Sequence, residues 1–226
     1  MDLKEFSDGL ELAGMGFANG KAPGYPYTEK EKWAMVEQAA DAYGKFLDAL
    51  HCDWRNDPNS SDTPLRVAKA YVFDLWKGRY ELPTDITAFP SDGYNGIIIE
   101  KDIPAVSMCS HHHQTILGKV HIAYVPSKEG KVIGLSKLNR IVEHFSRRGA
   151  IQEQLTMAIH QAVDKVCEGN MGVAVQIVAT HQCVSCRGTN HQGAAMVTTK
   201  LSGNFFTKDI VRNEFFDAIK SANAMK

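Results

Sequence analysis

The stretch "GIIIEKDIPAVSMC", Gly96 to Cys109, decides the fold. It is strand-like, rich in β-branched residues and bounded by glycine. "GKVHIAYVP", Gly118 to Pro126, has the same character. The two read as neighbouring strands. Downstream the period changes. "SKLNRIVEHFSRR" (136–148) brings Leu138, Ile141, Val142 and Phe145 onto one helical face, and Gly149 ends it. "IQEQLTMAIHQAVDKVC" (151–167) is a second helix, with Leu155, Ile159, Ala162, Val163 and Val166 inward. "GVAVQIVATHQCVSCRG" (172–188) reads as a long strand, "AAMVTTKLSG" (194–203) as another, and "KDIVRNEFFDAIKSA" (208–222) as a closing helix. The order is two strands, two helices, two strands, helix. That is an α+β chain with an antiparallel sheet and a helix pair on one face.

Upstream the chain is helical. Thr28 and Glu31 make a capping box for a helix to about Cys52, with a seam of Trp33, Val36, Ala40, Tyr43, Leu47 and Leu50. After the polar loop "CDWRNDPNSSD", Thr63 is the expected N-cap of a further helix, Pro64 its first residue and Gly78 its stop. Residues 1–27 carry five glycines and little periodicity, and read as an arm, mobile or ordered by a partner chain. This gives an arm and helix over 1–62 and a main domain over 63–226.

The 226 residues are 44% hydrophobic and 23% charged, a globular composition with room for a substantial core. The net charge of −1 gives no global attraction to nucleic acid or to an anionic membrane. No apolar run approaches a membrane span. The early acidic residues do not resemble a signal peptide, so the expected compartment is the cytoplasm. Five cysteines suit reduced thiols or metal ligands better than a disulfide framework.

The chemistry gathers in "SMCSHHHQT" (107–115) and "HQCVSCR" (181–187). Cys109 and His112 lie three apart, and a thiolate plus an imidazole favours Zn²⁺. Adding both Cys183 and Cys186 would make a closed structural Cys₃His site. Strand alternation opposes that, because Cys183 would share a face with His181, Ser185 and Arg187 while Cys186 points away. The favoured site is therefore open: Cys109, His112 and Cys183, with a position left for water. His51, His121, His144, His160 and His191 read as ordinary core or surface histidines, and His113 as structural or solvated.

A second constellation is basic. Ser136 is the expected N-cap of its helix, with Lys137 and Arg140 in the first turn, where cations oppose the helix dipole unless an anion binds. Arg66 and Arg187 could join that patch. A third is Gln152 with Glu153 at a helix start, where a carboxylate can accept two N–H bonds from a guanine edge.

"DTPLRVAK", "CSHHH", "VIGLSKLNRIV", "IQEQLT" and "HQCVSCRG" fall in the order and approximate spacing of GTP cyclohydrolase I, and the chain resembles that family from about Thr63 to Phe206. The resemblance implies a tunnelling fold, in which antiparallel sheets of neighbouring chains close into a barrel. It also implies a homodecamer of two pentamers, with active sites between subunits. It implies zinc on Cys109, His112 and Cys183, whose water attacks guanine C8. His111 would be the proton donor to N7, and His181 the proton carrier at the ribose. Gln152 and Glu153 would anchor guanine. Ser136, Lys137, Arg140, Arg187 and Arg66 would cradle the triphosphate of GTP. The product would be 7,8-dihydroneopterin triphosphate plus formate, the entry to pterin and folate synthesis. Two positions depart from the family pattern: Ser110 replaces the usual glutamate, and Cys186 stands where cysteine is unusual. A zinc nucleoside deaminase would need a glutamate after the histidine and a proline before "CVSC", and neither is present. A zinc-stabilised scaffold without activity is the alternative of another class.

Overall fold

The computed structural model describes residues 3–4, 22 and 24–221. The expected arm lies almost wholly outside them. Helix α1 (Glu29–Ala49) starts as its sequence requires: Thr28 Oγ1 accepts from Glu31 N–H, and the Glu31 carboxylate accepts from Thr28 N–H at 2.7 Å. Of its expected seam only Val36 is buried, and Ala40, Tyr43 and Leu47 are half-buried. Val36 is fully enclosed, while Trp33 and Leu50 remain exposed. Helix α2 (Thr63–Ala70) is capped by Asp62 rather than Thr63, since Arg66 N–H already reaches Asp62 O. It runs into a π turn (Tyr71–Leu75) and a 3₁₀ turn (Lys77–Arg79). Gly78 therefore does not stop an α-helix. It is needed for close approach, because a Cβ there would sit 2.2 Å from His144 O.

The main sheet has four antiparallel strands in the order β2 (Ile98–Met108), β3 (Thr115–Pro126), β5 (Asn170–His181), β6 (Ala195–Leu201). Between β3 and β5 come α3 (Leu135–Ser146) and α4 (Gln152–Val166). A small two-stranded sheet of β1 (Ala88–Pro90) and β4 (Lys131–Ile133), too short to show in the sequence pattern, stands apart from the main sheet. The core lies between the sheet and the helix pair. Val120, Ile122, Tyr124, Val175 and Ile177 point from the strands, and Leu138, Ile141, Ile159 and Val163 from the helices. The other face is covered at one end by Phe205 and Phe215, of α6 (Asn204–Thr207) and α7 (Asp209–Lys220), over Ala123, Val125 and Ala174. This is the α+β unit expected, a sheet with a helix pair on one face and a helical N-terminal region.

Two details position the site. β3 and β5 approach so closely at Gly118 that a Cβ would lie 2.4 Å from both Ala179 Cβ and Val178 O. β5 then ends at His181. Its last ladder partners are Ile116 on β3 and, through Thr180, Ala195 on β6. Beyond them residues 182–185 find no strand partner among the described residues and close on themselves as a helical turn, α5 (Gln182–Ser185), with Cys186 N–H bonded to Gln182 O at 2.9 Å. The strand expected to run on through 185 does not.

Candidate active site

The site forms where the ends of β2 and β5 meet the start of α4. β2 leads into the turn Cys109–Gln114, closed by Cys109 N–H to Gln114 O at 2.8 Å and His113 N–H to Cys109 O at 3.0 Å. His113 takes a positive φ of 52°. Its ring packs on Trp76 and Tyr71, which fastens the turn to the N-terminal helical layer, the structural one of the two roles open to it. Ala150 N–H donates to Met108 O, so the start of α4 lies beside Cys109. The end of β5 and the turn α5 complete the group.

Cys183 packs against the core cluster that contains Cys109, and burial and then Cys109 raise the Cys183 pKa, with Arg187 opposing. Cys186 does not join them. Its exposed sulfur bonds Gln182 Oε1 at 3.3 Å. Cys186 is thus set apart, but not by strand alternation, because the segment is a helical turn. Ser185 bonds back to His181 O instead of sharing a strand face with it. His111 and His112 stand exposed on the turn, their rings edge to face at 6.4 Å. Among the described residues no three Cys, His, Asp or Glu side chains converge as a metal cage. The donor set nonetheless suits zinc: two adjoining thiols, with an imidazole carried on the same turn as one of them.

His181 is half-buried, and its pKa is lowered by burial against the opposing charge of nearby Glu153. Glu153 is exposed at the start of α4. Gln152 is different. Its side chain is almost wholly buried, its amide committed to Ile177 O, Met196 O, Thr198 Oγ1 and His181 Nε2, so it offers no group to a guanine edge and, against the expectation, only Glu153 of the pair is placed to anchor the base. Arg187 is exposed close to Cys183.

The basic set stands elsewhere. α3 is capped by Gly134, not Ser136. That places Ser136 and Lys137 in the first turn and Arg140 in the second. Lys137 Nζ is 3.5 Å from the Asp85 carboxylate and Arg140 donates to Asp85 O. Asn139, between them, bonds Glu100 at the start of β2, while Cys109 follows the end of that strand. Nine residues of strand separate these points, roughly 25 Å or more. Within one chain, Ser136, Lys137 and Arg140 therefore do not meet Cys109, His181 and Glu153. Arg66, 70% exposed and paired with Asp62, lies on the helical layer five residues before Tyr71. The buried histidines left as ordinary are so: His144 accepts from Arg148, His160 bonds Ser202, and His121 Nδ1 accepts from Asp102 N–H.

The family model described as GTP cyclohydrolase I matches residues 39–220. The GTP cyclohydrolase 1 of Pseudoalteromonas translucida is 43% identical over 169 residues, covering 73% of this chain and 90% of that one. That of Chlorobaculum tepidum is 43% identical over 159 residues, covering 70% and 69%. The solved structure of the archaeosine synthase QueF-Like in the apo form aligns with a TM-score of 0.39 at 16% identity, over 47% of this chain and 93% of that one, too weak a likeness to argue from.

Proposed function

The chain belongs to the GTP cyclohydrolase I family and is a GTP cyclohydrolase, and from that premise we propose that it uses zinc to convert GTP to 7,8-dihydroneopterin triphosphate and formate at sites shared between copies. The observation that carries this reading is the convergence of Cys109, Cys183, His181 and Glu153 from the ends of β2 and β5 and the start of α4. Zinc on Cys109, Cys183 and His112 would supply Lewis acidity for hydrolysis at C8 of the guanine ring. The chain's own groups do the rest. Glu153 accepts from guanine N1–H and N2–H, which orients the base. His111, on the exposed turn, is placed to protonate N7 as the imidazole ring opens. His181 carries protons at the ribose during formate release and sugar rearrangement. An imidazole suits both tasks because its ordinary pKa of about 6.5 lies near neutrality.

The triphosphate needs Ser136, Lys137 and Arg140, with Arg187 and Arg66. The first three stand at the far end of α3 from the thiols, which supports a site completed by a second copy. Among the described residues, edge strands β2 and β6 each leave one ladder side unpaired, as barrel closure by neighbouring sheets would require. A homodecamer in the cytoplasm, feeding pterin or folate synthesis, accords with this reading. Among the described residues no helix is long and apolar enough to cross a membrane. The test is a panel of GTP, dGTP, GDP and ATP with formate and pterin both measured. GTP should yield both products. ATP should yield neither, because adenine lacks the N1–H and N2–H donors on that edge and leaves the Glu153 carboxylate unpaired. Formate from ATP, or none from GTP, would overturn the reading.

A further inference from the structure

We propose that Gln152 is a positioning residue that fixes the tautomer of His181. The proposal rests on the reading that His181 carries protons. Gln152 is 1% exposed at the start of α4. Its amide nitrogen faces Ile177 O at 3.1 Å, Met196 O at 3.0 Å and Thr198 Oγ1 at 3.1 Å. Two of these are backbone carbonyls, which can only accept. The third is committed too. Thr156 Oγ1 donates to Gln152 O at 2.8 Å and lies 2.6 Å from Thr198 Oγ1. With the Thr156 proton so used, Thr198 must donate to Thr156 and offer Gln152 a lone pair.

The amide therefore cannot flip. Reversed, its oxygen would face two buried carbonyls and its nitrogen's protons would lose their acceptors. Oε1 is left facing His181 Nε2 at 2.8 Å. An amide oxygen only accepts, so Nε2 must carry hydrogen. In the neutral ring the lone pair is then on Nδ1, and protons enter and leave there. Imidazolium also carries hydrogen on Nε2, so the contact survives both protonation states. The ring need not turn between accepting a proton and returning it, which is the preorganisation that proton transfer rewards.

A residue that only staples α4 to β5 and β6 would have the same burial, so the test needs a signature that stapling does not move. The first measurement uses the wild-type, metal-loaded protein with ¹⁵N-labelled histidine, the His181 signals identified by their loss in His181→Asn. The expected result is a neutral ring protonated on Nε2. Protonation on Nδ1 would overturn the proposal, whatever the activity. The second compares kcat and KM for GTP in Gln152→Met. We expect kcat to fall about 10²-fold while KM stays within about threefold, since the base and phosphate contacts are untouched. A lower Tm with kcat unchanged would leave a staple alone and sink the proposal. Absence of formate from wild type would fail the proposed function, not the tautomer assignment, so the two can be told apart.

Discussion

Mixing two inactive variants tests whether one chain can hold a whole site. Glu153→Ala removes the base anchor, and Lys137→Ala a phosphate contact. The two residues belong to opposite ends of the helix pair: α4 starts beside Cys109, whereas Lys137 sits by the Glu100–Asn139 contact, roughly 25 Å along β2. If each site took both residues from one chain, co-assembled oligomers would hold no intact site, and activity would be that of the parents. If Glu153 comes from one copy and Lys137 from its neighbour, random 1:1 assembly makes the Glu153 side intact in half the cases. The Lys137 side is independently intact in half. About a quarter of the sites are then whole, so mixed oligomers should recover about a quarter of wild-type kcat per site. The assay is formate release after co-expression of two differently tagged chains and purification through both tags. Tandem purification excludes pure parental oligomers and raises the expected value slightly. Activity at the parental level in verified mixed oligomers would refute the shared site.

Three further outcomes are expected. Cys183→Ala should lose most bound zinc by elemental analysis while Cys186→Ala keeps it, because only Cys183 adjoins Cys109; equal loss in both would restore the closed four-ligand site. Gly118→Val should destabilise by about 1–3 kcal/mol, since its Cβ would overlap Ala179 and Val178 beside the strand end that carries His181; an unchanged Tm would mean the strands are not so close. Burial, followed by Arg148 and Lys77, holds the pKa of His144 well below the ordinary value, so the folded state binds fewer protons there than the unfolded chain does. Stability is full above the unfolded pKa of about 6.5 and is lost as pH falls below it, by at most about 1.4 kcal/mol per pH unit for this group. The denaturant midpoint should therefore fall between pH 7 and pH 5, less steeply in His144→Gln; a midpoint that rises on acidification would contradict the burial of a neutral ring.

What the sequence determined by itself is mostly local. The Thr28–Glu31 capping box, the β-branched runs of β2 and β3, and the apolar faces of α3 and α4 each record a short-range preference, and each element formed where that preference put it. The motifs likewise named the site's chemistry, because residue type alone decides what can bind a metal or move a proton. Tertiary structure decided the rest. The alternation in "HQCVSCR" pointed to a strand, but β3 and β6 offer no partner beyond His181 and Thr180, so the backbone bonded to itself in a helical turn. Ser136 and Thr63 looked like caps, yet each helix began one or two residues earlier, where the chain already satisfied its first carbonyl. Gln152 and Glu153 are adjacent and polar, and in sequence they form a pair. Only the packing of α4 on β5 and β6 buries one against two backbone carbonyls and leaves the other exposed beside His181. The distance from the basic residues to the thiols was equally hidden, since it depends on the direction in which α3 crosses β2, a relation between segments far apart in the chain that no local pattern encodes.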